Sequence, residues 1–304
     1  MSKMTNYPHI AAMVFNTPLL ATATLAQTVS EFLHKRLLGD FPELSSTAQV
    51  SAKQTQEYVV GDPEQGDKVA VIAVHGILIP RMGFIDASCE EVMSYERLQK
   101  QINAALKDDK VQEIALDINS GGGSAQGAFE CADFIKQAAQ QKPIRAIINM
   151  NACSGAYLIA CACTEIIISK TAVVGSVGVY LKRLDLTAHY EQNGVKIHTF
   201  YRGATKVDFH PDIALSEEER KRIEYDTEAT YQMFVEYVSQ NRNLSIADVQ
   251  ATEADTYQGQ AAIDMGLADR LATPQDAINS IVHSVAQQAS NQGMIAHAAL
   301  LKTI

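Results

Sequence analysis

Short apolar runs rich in β-branched residues alternate with longer amphipathic stretches through the middle of the chain. Val69-Ala70-Val71-Ile72-Ala73-Val74 has the length and composition of a buried strand. Val92 to Leu106 carries helical periodicity, Ile114-Ala115-Leu116-Asp117-Ile118 predicts a second strand, and Ser124 to Ala139 a second helix. A third strand, Ile144 to Met150, leads into a helix from about Ser154 to Cys163. Ile166-Ile167-Ile168 and Val177-Gly178-Val179-Tyr180 predict further short strands, and Val195 to Tyr201 alternates. Strands separated by helices predict an α/β domain with largely parallel pairing.

The flanks follow other patterns. Thr17-Pro18 reads as a helix start, with proline tolerated at the first position, and apolar residues from Leu19 to Leu38 recur at near-helical spacing. Residues 1 to about 50 are therefore expected to form a helical extension. Residues 51–68 are polar, with Gly61-Asp62-Pro63 and Gly66-Asp67, and predict a linker or an exposed hairpin. Ser216-Glu217-Glu218-Glu219 is a capping box opening a long helix to about Arg242. A shorter helix near Gln258–Met265 ends at Gly266. Beyond Thr273 the chain is rich in Ala, Gln and Ser and is expected to be a weakly ordered helical tail.

Composition narrows the class. With 304 residues, 47% of them apolar, the chain can bury a large core. A net charge of −10 argues against nucleic acid as a partner. The five cysteines, Cys89, Cys131, Cys153, Cys161 and Cys163, are odd in number and lie in apolar segments. They match no zinc spacing and are expected to be reduced thiols in a cytosolic protein. The apolar stretch Ile10 to Gln27 has only Lys3 before it and is broken by Asn16 and Pro18, which speaks against a secretory signal. No window predicts a membrane helix.

Three segments carry chemistry. Asp117-Ile118-Asn119-Ser120-Gly121-Gly122-Gly123-Ser124 joins a strand to a helix, and its glycines let backbone N–H groups approach a ligand closely. That suits a phosphate, an oxyanion hole or simply a tight turn; the P-loop and G-x-G-x-x-G spacings are absent. Ser154, in Cys153-Ser154-Gly155-Ala156-Tyr157, opens a helix after a strand. It reads either as a nucleophile, with Gly155 offering an oxyanion donor, or as a helix cap. Cys153 is a rival nucleophile, yet His189, His198 and His210 sit in no recognisable base motif. Lys206 reads as a surface lysine or as a base. A lysine base must be neutral, which burial among Phe200, Tyr201, Val207 and Phe209 would promote. Ser176, in Val174-Gly175-Ser176-Val177-Gly178, is a turn residue or a hydroxyl that orients the lysine amine.

In this order, the motifs Asn119-Ser120-Gly121-Gly122-Gly123, Cys153-Ser154-Gly155-Ala156-Tyr157, Gly175-Ser176-Val177-Gly178 and the Lys206 segment resemble the signal peptide peptidase A family of Ser–Lys peptidases. Tyr7-Pro8-His9-Ile10, Lys206-Val207-Asp208, Tyr231-Gln232-Met233-Phe234 and Gly259-Gln260-Ala261-Ala262-Ile263-Asp264-Met265-Gly266 are most similar to its phage capsid-maturation branch, the lambda protein C type. Gly121 departs from the proline many relatives carry. The resemblance implies a Clp protease/crotonase-like spiral of strand-strand-helix units at 68–275, between an extension and linker at 1–67 and an Ala/Gln-rich tail at 276–304. It implies Ser154 as nucleophile, Lys206 as general base, Gly122 and Gly155 as oxyanion donors, and Ser176 as support for the lysine.

The expected activity is that of a cytoplasmic serine endopeptidase that processes capsid scaffold and portal proteins inside an assembling prohead. No metal, cofactor, nucleic acid or membrane is implied. A homo-oligomer is, with the dyad shared between protomers. The rival readings are a bacterial signal-peptide or membrane-debris peptidase, a crotonase-like acyl-CoA enzyme, and a non-enzymatic capsid component with a vestigial dyad.

Overall fold

A computed structural model describes residues 16–27, 58–61, 68–81 and 92–301. Two sheets organise them. The larger is built on parallel strands β3 (Lys68–His75), β6 (Val111–Ser120) and β8 (Ile144–Cys153). The outer edge of β8 is shared. Its first half pairs with β9 (Glu165–Ile168) and its end with β10 (Val173–Gly175), both parallel. Antiparallel β2 (Tyr58–Gly61) and β11 (Thr256–Gln258) close the sheet on β3 and β10, and β12 (Arg270–Leu271) pairs with β9. The smaller sheet runs β1 (Leu19–Ala21), β7 (Gly122–Ser124), β4 (Ile77–Ile79) and β5 (Val92–Ser94).

The strands read as continuous apolar runs because both faces of the larger sheet are covered. Alternation sorts their side chains. Ala70, Ile72, Val74, Ile114, Leu116, Ile118, Ala146 and Ile148 enter the main core. Opposite them are α1 (Tyr95–Lys107), α2 (Ala128–Ala138), α3 (Gly155–Cys161) and α5 (Glu217–Arg242), which brings Phe234, Val235 and Val238. Between α3 and α5 in the chain, α4 (Thr187–Gln192) presents no buried residue. The intervening strand residues Val69, Ala115, Ile147 and Ile167 face the other way. They meet Ala277, Ile281 and Val285 of α8 (Pro274–Leu301) in a second cluster. Short α6 (Ile246–Gln250) and α7 (Gln260–Asp264) complete the domain.

Charges line part of the α8 face. Arg145 bridges Glu113 at 2.5 Å and Glu165 at 3.1 Å, and Arg270 reaches Glu165 at 2.6 Å. Burial pushes the Glu113 carboxyl up to about 7, against the pull of Arg145.

The middle strands and helices fall where the periodicity put them, and Ser216 caps α5 by accepting from the Glu219 N–H at 3.1 Å. Several expectations need correction. Thr17-Pro18 opens a strand, β1, because the free edge of β7 offers backbone partners; helical turns begin only at residue 23. The rest of the expected N-terminal extension and linker, residues 1–15, 28–57 and 62–67, and Cys89 lie outside the described residues. Residues 58–61 form one arm of a hairpin with β3, the second of the two readings. Val92–Ser94 and Gly122–Ser124 are strands rather than first turns of helices. Val177–Tyr180 contributes one isolated bridge, Tyr180 to Leu19, and Val195–Tyr201 is irregular and exposed. The expected loose tail instead docks through α8, which fills the second face of the sheet. No helix among the described residues is long and apolar enough to cross a membrane.

Candidate active site

β8 carries the chain to Ser154 at the carboxyl edge of the parallel sheet, and α3 starts one residue later. The reversal is compressed into Ser154 itself, at φ 54°, ψ −120°. A side chain is rarely tolerated there; such a conformation costs about 1–3 kcal/mol and persists only where surroundings enforce it. The enforcement is visible. Ser154 N–H donates to the Gly175 carbonyl at 2.8 Å, and the Ser154 carbonyl accepts from Leu158 at 3.0 Å. Ser154 has no exposed surface, and its Oγ is buried without a hydrogen-bond partner. A buried hydroxyl left unbonded is an anomaly that a catalytic role would explain.

Gly122 and Gly155 meet beside it. A Cβ on Gly122 (φ +98°) would lie 2.9 Å from the Gly155 nitrogen and 3.0 Å from the Cys153 carbonyl. Only glycine permits that approach. Gly155 is the first residue of α3, so its N–H has no partner within the helix. The Gly122 N–H, by contrast, is engaged: it donates to Ser120 Oγ at 3.0 Å, and that hydroxyl donates to the Gly76 carbonyl at 2.5 Å. Sequence reasoning missed two participants here. Ser120 holds the glycine loop, and Gly123 pairs with Leu20 of β1 while a Cβ on it would stand 1.9 Å from the Leu78 carbonyl. The third glycine of the run was the available signal.

Ser176 (φ 55°) follows Gly175, the residue that binds the Ser154 amide, and its own N–H donates to the Asp255 carbonyl at 2.8 Å. Ser154, Gly155, Gly122 and the Ser176 turn are therefore brought together. Lys206 is not. It lies exposed in a turn at 204–209, so the burial its neighbours promised is not met, and among the described residues no amine reaches Ser154 Oγ. The same segment exposes Val195, Ile197, Tyr201 and Phe200, the last at 94%.

Other nucleophiles and bases fall away. Burial pushes the Cys153 thiol up to about 11, leaving it protonated near neutrality. Its Sγ sits 3.8 Å from the Val173 carbonyl. His189 and His198 are exposed, and His210 pairs with Asp212. Among the described residues no group of three His, Cys, Asp or Glu side chains is placed to hold a metal. What the arrangement offers is a fixed serine hydroxyl beside a helix N-terminal amide with no partner in its own helix, the elements of nucleophilic attack on a carbonyl with stabilisation of the oxyanion.

Fold and site thus define an α/β protein with a serine poised at a strand–helix elbow. The chain belongs to peptidase family S49, whose sequence model matches residues 136–288. It is 34% identical over 285 residues to the head-tail preconnector protein GP5 of Enterobacteria phage P21, covering 90% of this chain and 57% of that one. To the capsid assembly protease C of Escherichia phage lambda it is 33% identical over 289 residues, 91% of this chain and 66% of the relative. A putative signal peptide peptidase SppA of Enterococcus faecium is 27% identical over 235 residues, 76% and 67% of the two chains. The chain spans less than two thirds of the length of either phage relative.

Proposed function

We propose that the protein is a Ser–Lys endopeptidase that processes capsid assembly proteins, scaffold and portal, within an assembling prohead in the host cytoplasm. The observation that carries the peptidase chemistry is Ser154: strained, fully buried, unbonded at Oγ, and flanked by Gly155 and Gly122. The phage relatives, one named a capsid assembly protease, support the substrate class. β3 and β6 enter the larger sheet, and the strands after them, β4 with β5 and then β7, enter the smaller one before helices α1 and α2; this alternation supports a Clp protease/crotonase-like spiral over 68–275.

In the proposed reaction Lys206 of a neighbouring protomer takes the proton from Ser154 Oγ, which attacks the substrate carbonyl. The exposed apolar segment Val195–Tyr201 beside Lys206 supports this sharing, since such a patch seeks a protein partner that would also desolvate the amine. Gly155 N–H receives the oxyanion. Gly122 joins it by exchanging Ser120 Oγ for the same oxygen, and Ser176 steadies the amine. The leaving amine takes the proton, and water then releases the acyl group from the serine.

The test is complementation. Ser154→Ala and Lys206→Ala proteins are purified separately, then mixed and reassembled with scaffold protein. Each alone should be inactive, and the mixture should recover a fraction of wild-type cleavage. Full cleavage by the Ser154→Ala protein alone would refute the nucleophile. A silent mixture with active wild type would place both residues of the dyad in one chain.

A further inference from the structure

Ser154 has no exposed surface, so in this state it meets no peptide from solution. What covers its surroundings is the chain's own N-terminal strand. The Leu20 carbonyl oxygen falls 2.0 Å from where a Cβ on Gly122 would stand and 3.1 Å from the same position on Gly155. It therefore packs against both of the glycines that the proposed reaction assigns to the oxyanion. The Leu20 side chain is fully buried, with its Cβ 3.3 Å from the Gly155 position.

The strand is held along both edges by main-chain bonds. On the β7 side Thr22 N–H donates to the Gly121 carbonyl at 2.9 Å, and Ala125 N–H to the Pro18 carbonyl at 3.2 Å. On the other side Leu19 and Tyr180 exchange bonds of 2.8 and 3.0 Å, and Asn16 N–H reaches the Lys182 carbonyl at 2.9 Å. An extended peptide adding to a sheet edge is bound in this way, by backbone for affinity and by a pocket for a side chain.

We propose that residues 16–22 are a resident occupant of the peptide-binding strip between β7 and residues 180–182, displaced by each incoming substrate. The inference rests on Ser154 being a peptidase nucleophile. Leu20 then marks the residue whose carbonyl is attacked. The groove takes an extended peptide with an aliphatic side chain at that place and a small one, like Ala21, after it. Gly122 gains a purpose, because a side chain there would strike the Leu20 carbonyl and close the strip.

The test locks the occupant in place. Leu19 and Ser124 are directly opposed in the β1–β7 register, so Leu19→Cys with Ser124→Cys allows a disulfide across it. Asn16→Cys with Lys182→Cys locks the other edge and serves if the first pair folds poorly. In the assembled protein, oxidation should reduce scaffold cleavage at least tenfold, and reductant should restore it. On a Ser154→Ala background, a fluorescein-labelled peptide with the sequence of residues 16–24 should bind the reduced form at least tenfold more tightly than the oxidised form. Equal binding by both forms, or none by the reduced form of either pair, would overturn the proposal. The expected binding contrast without cleavage in any form would uphold the groove and sink the peptidase reading alone.

Discussion

Removing the Ser154 hydroxyl should make the isolated chain more stable while abolishing its chemistry. Two costs are stored at this position. The Oγ is buried with no partner, a loss of about 1–3 kcal/mol relative to a bonded hydroxyl. The backbone at φ 54°, ψ −120° adds about 1–3 kcal/mol for any side-chain-bearing residue. Ser154→Ala removes the first cost and keeps the second. Ser154→Gly relieves both, offset by about 0.5–1 kcal/mol for the added freedom of glycine in the unfolded chain. At roughly 2 cal/mol/K of unfolding entropy per residue, a chain of 304 residues shifts its Tm by about 1.5 °C per kcal/mol. The alanine variant should therefore melt about 1.5–5 °C above wild type, and the glycine variant at or above the alanine one. The assay is calorimetry at concentrations where light scattering shows a monomer, because a neighbour's lysine would satisfy the hydroxyl. An alanine variant no more stable than wild type under those conditions would show that the hydroxyl is already bonded. A glycine variant clearly below it would show that the backbone is not strained.

Three further outcomes follow from the packing. Gly123→Ala puts a Cβ 1.9 Å from the Leu78 carbonyl oxygen, against backbone that cannot yield, and should cost at least about 3 kcal/mol; denaturant unfolding within 1 kcal/mol of wild type would contradict it. Ile281→Ala empties the centre of the second core and should cost about 2–5 kcal/mol without altering cleavage per folded molecule, as read from chemical melts and active-site titration. For Glu113 the folded carboxyl, at about 7, lies above its ordinary 4.5, so the unfolded chain loses this proton first as pH rises. Its share of stability is complete below about 4.5 and is lost between there and about 7, up to about 3 kcal/mol. Glu113→Gln should flatten stability across that window, and an unchanged slope in the variant would refute the assignment.

The parts of the fold legible in the sequence are those whose signal is long. β3, β6 and β8 announce themselves as apolar runs, and α5 by its cap and length. The smaller sheet was hidden because its strands are three residues long, and Gly122-Gly123-Ser124 has a composition that disfavours strands. Those residues pair because β1 and β4 stand on either side, a tertiary fact. β1 was misread for the same reason, since Leu19 and Leu20 suit a helix as well as a strand until an edge is there to receive them. The α8 stripe was readable: Ala277, Ile281 and Val285 recur every four residues, and the Ala- and Gln-rich background obscured them. At the site, the serine and glycines were legible because backbone constraint demands particular residue types. Lys206 is different. A lysine's environment depends on what packs over it, and nothing in one chain records that.

The second face of the large sheet carries a cost during synthesis. Val69, Ala115, Ile147 and Ile167 leave the ribosome well before α8, the helix that covers them. At translation speeds of 5–20 residues per second, the greasy side of a half-finished sheet waits on the order of 10 s for its lid. Nascent chains should therefore be clients of ribosome-associated chaperones. Truncations before Ala277 should aggregate even though every residue described around Ser154 is already present.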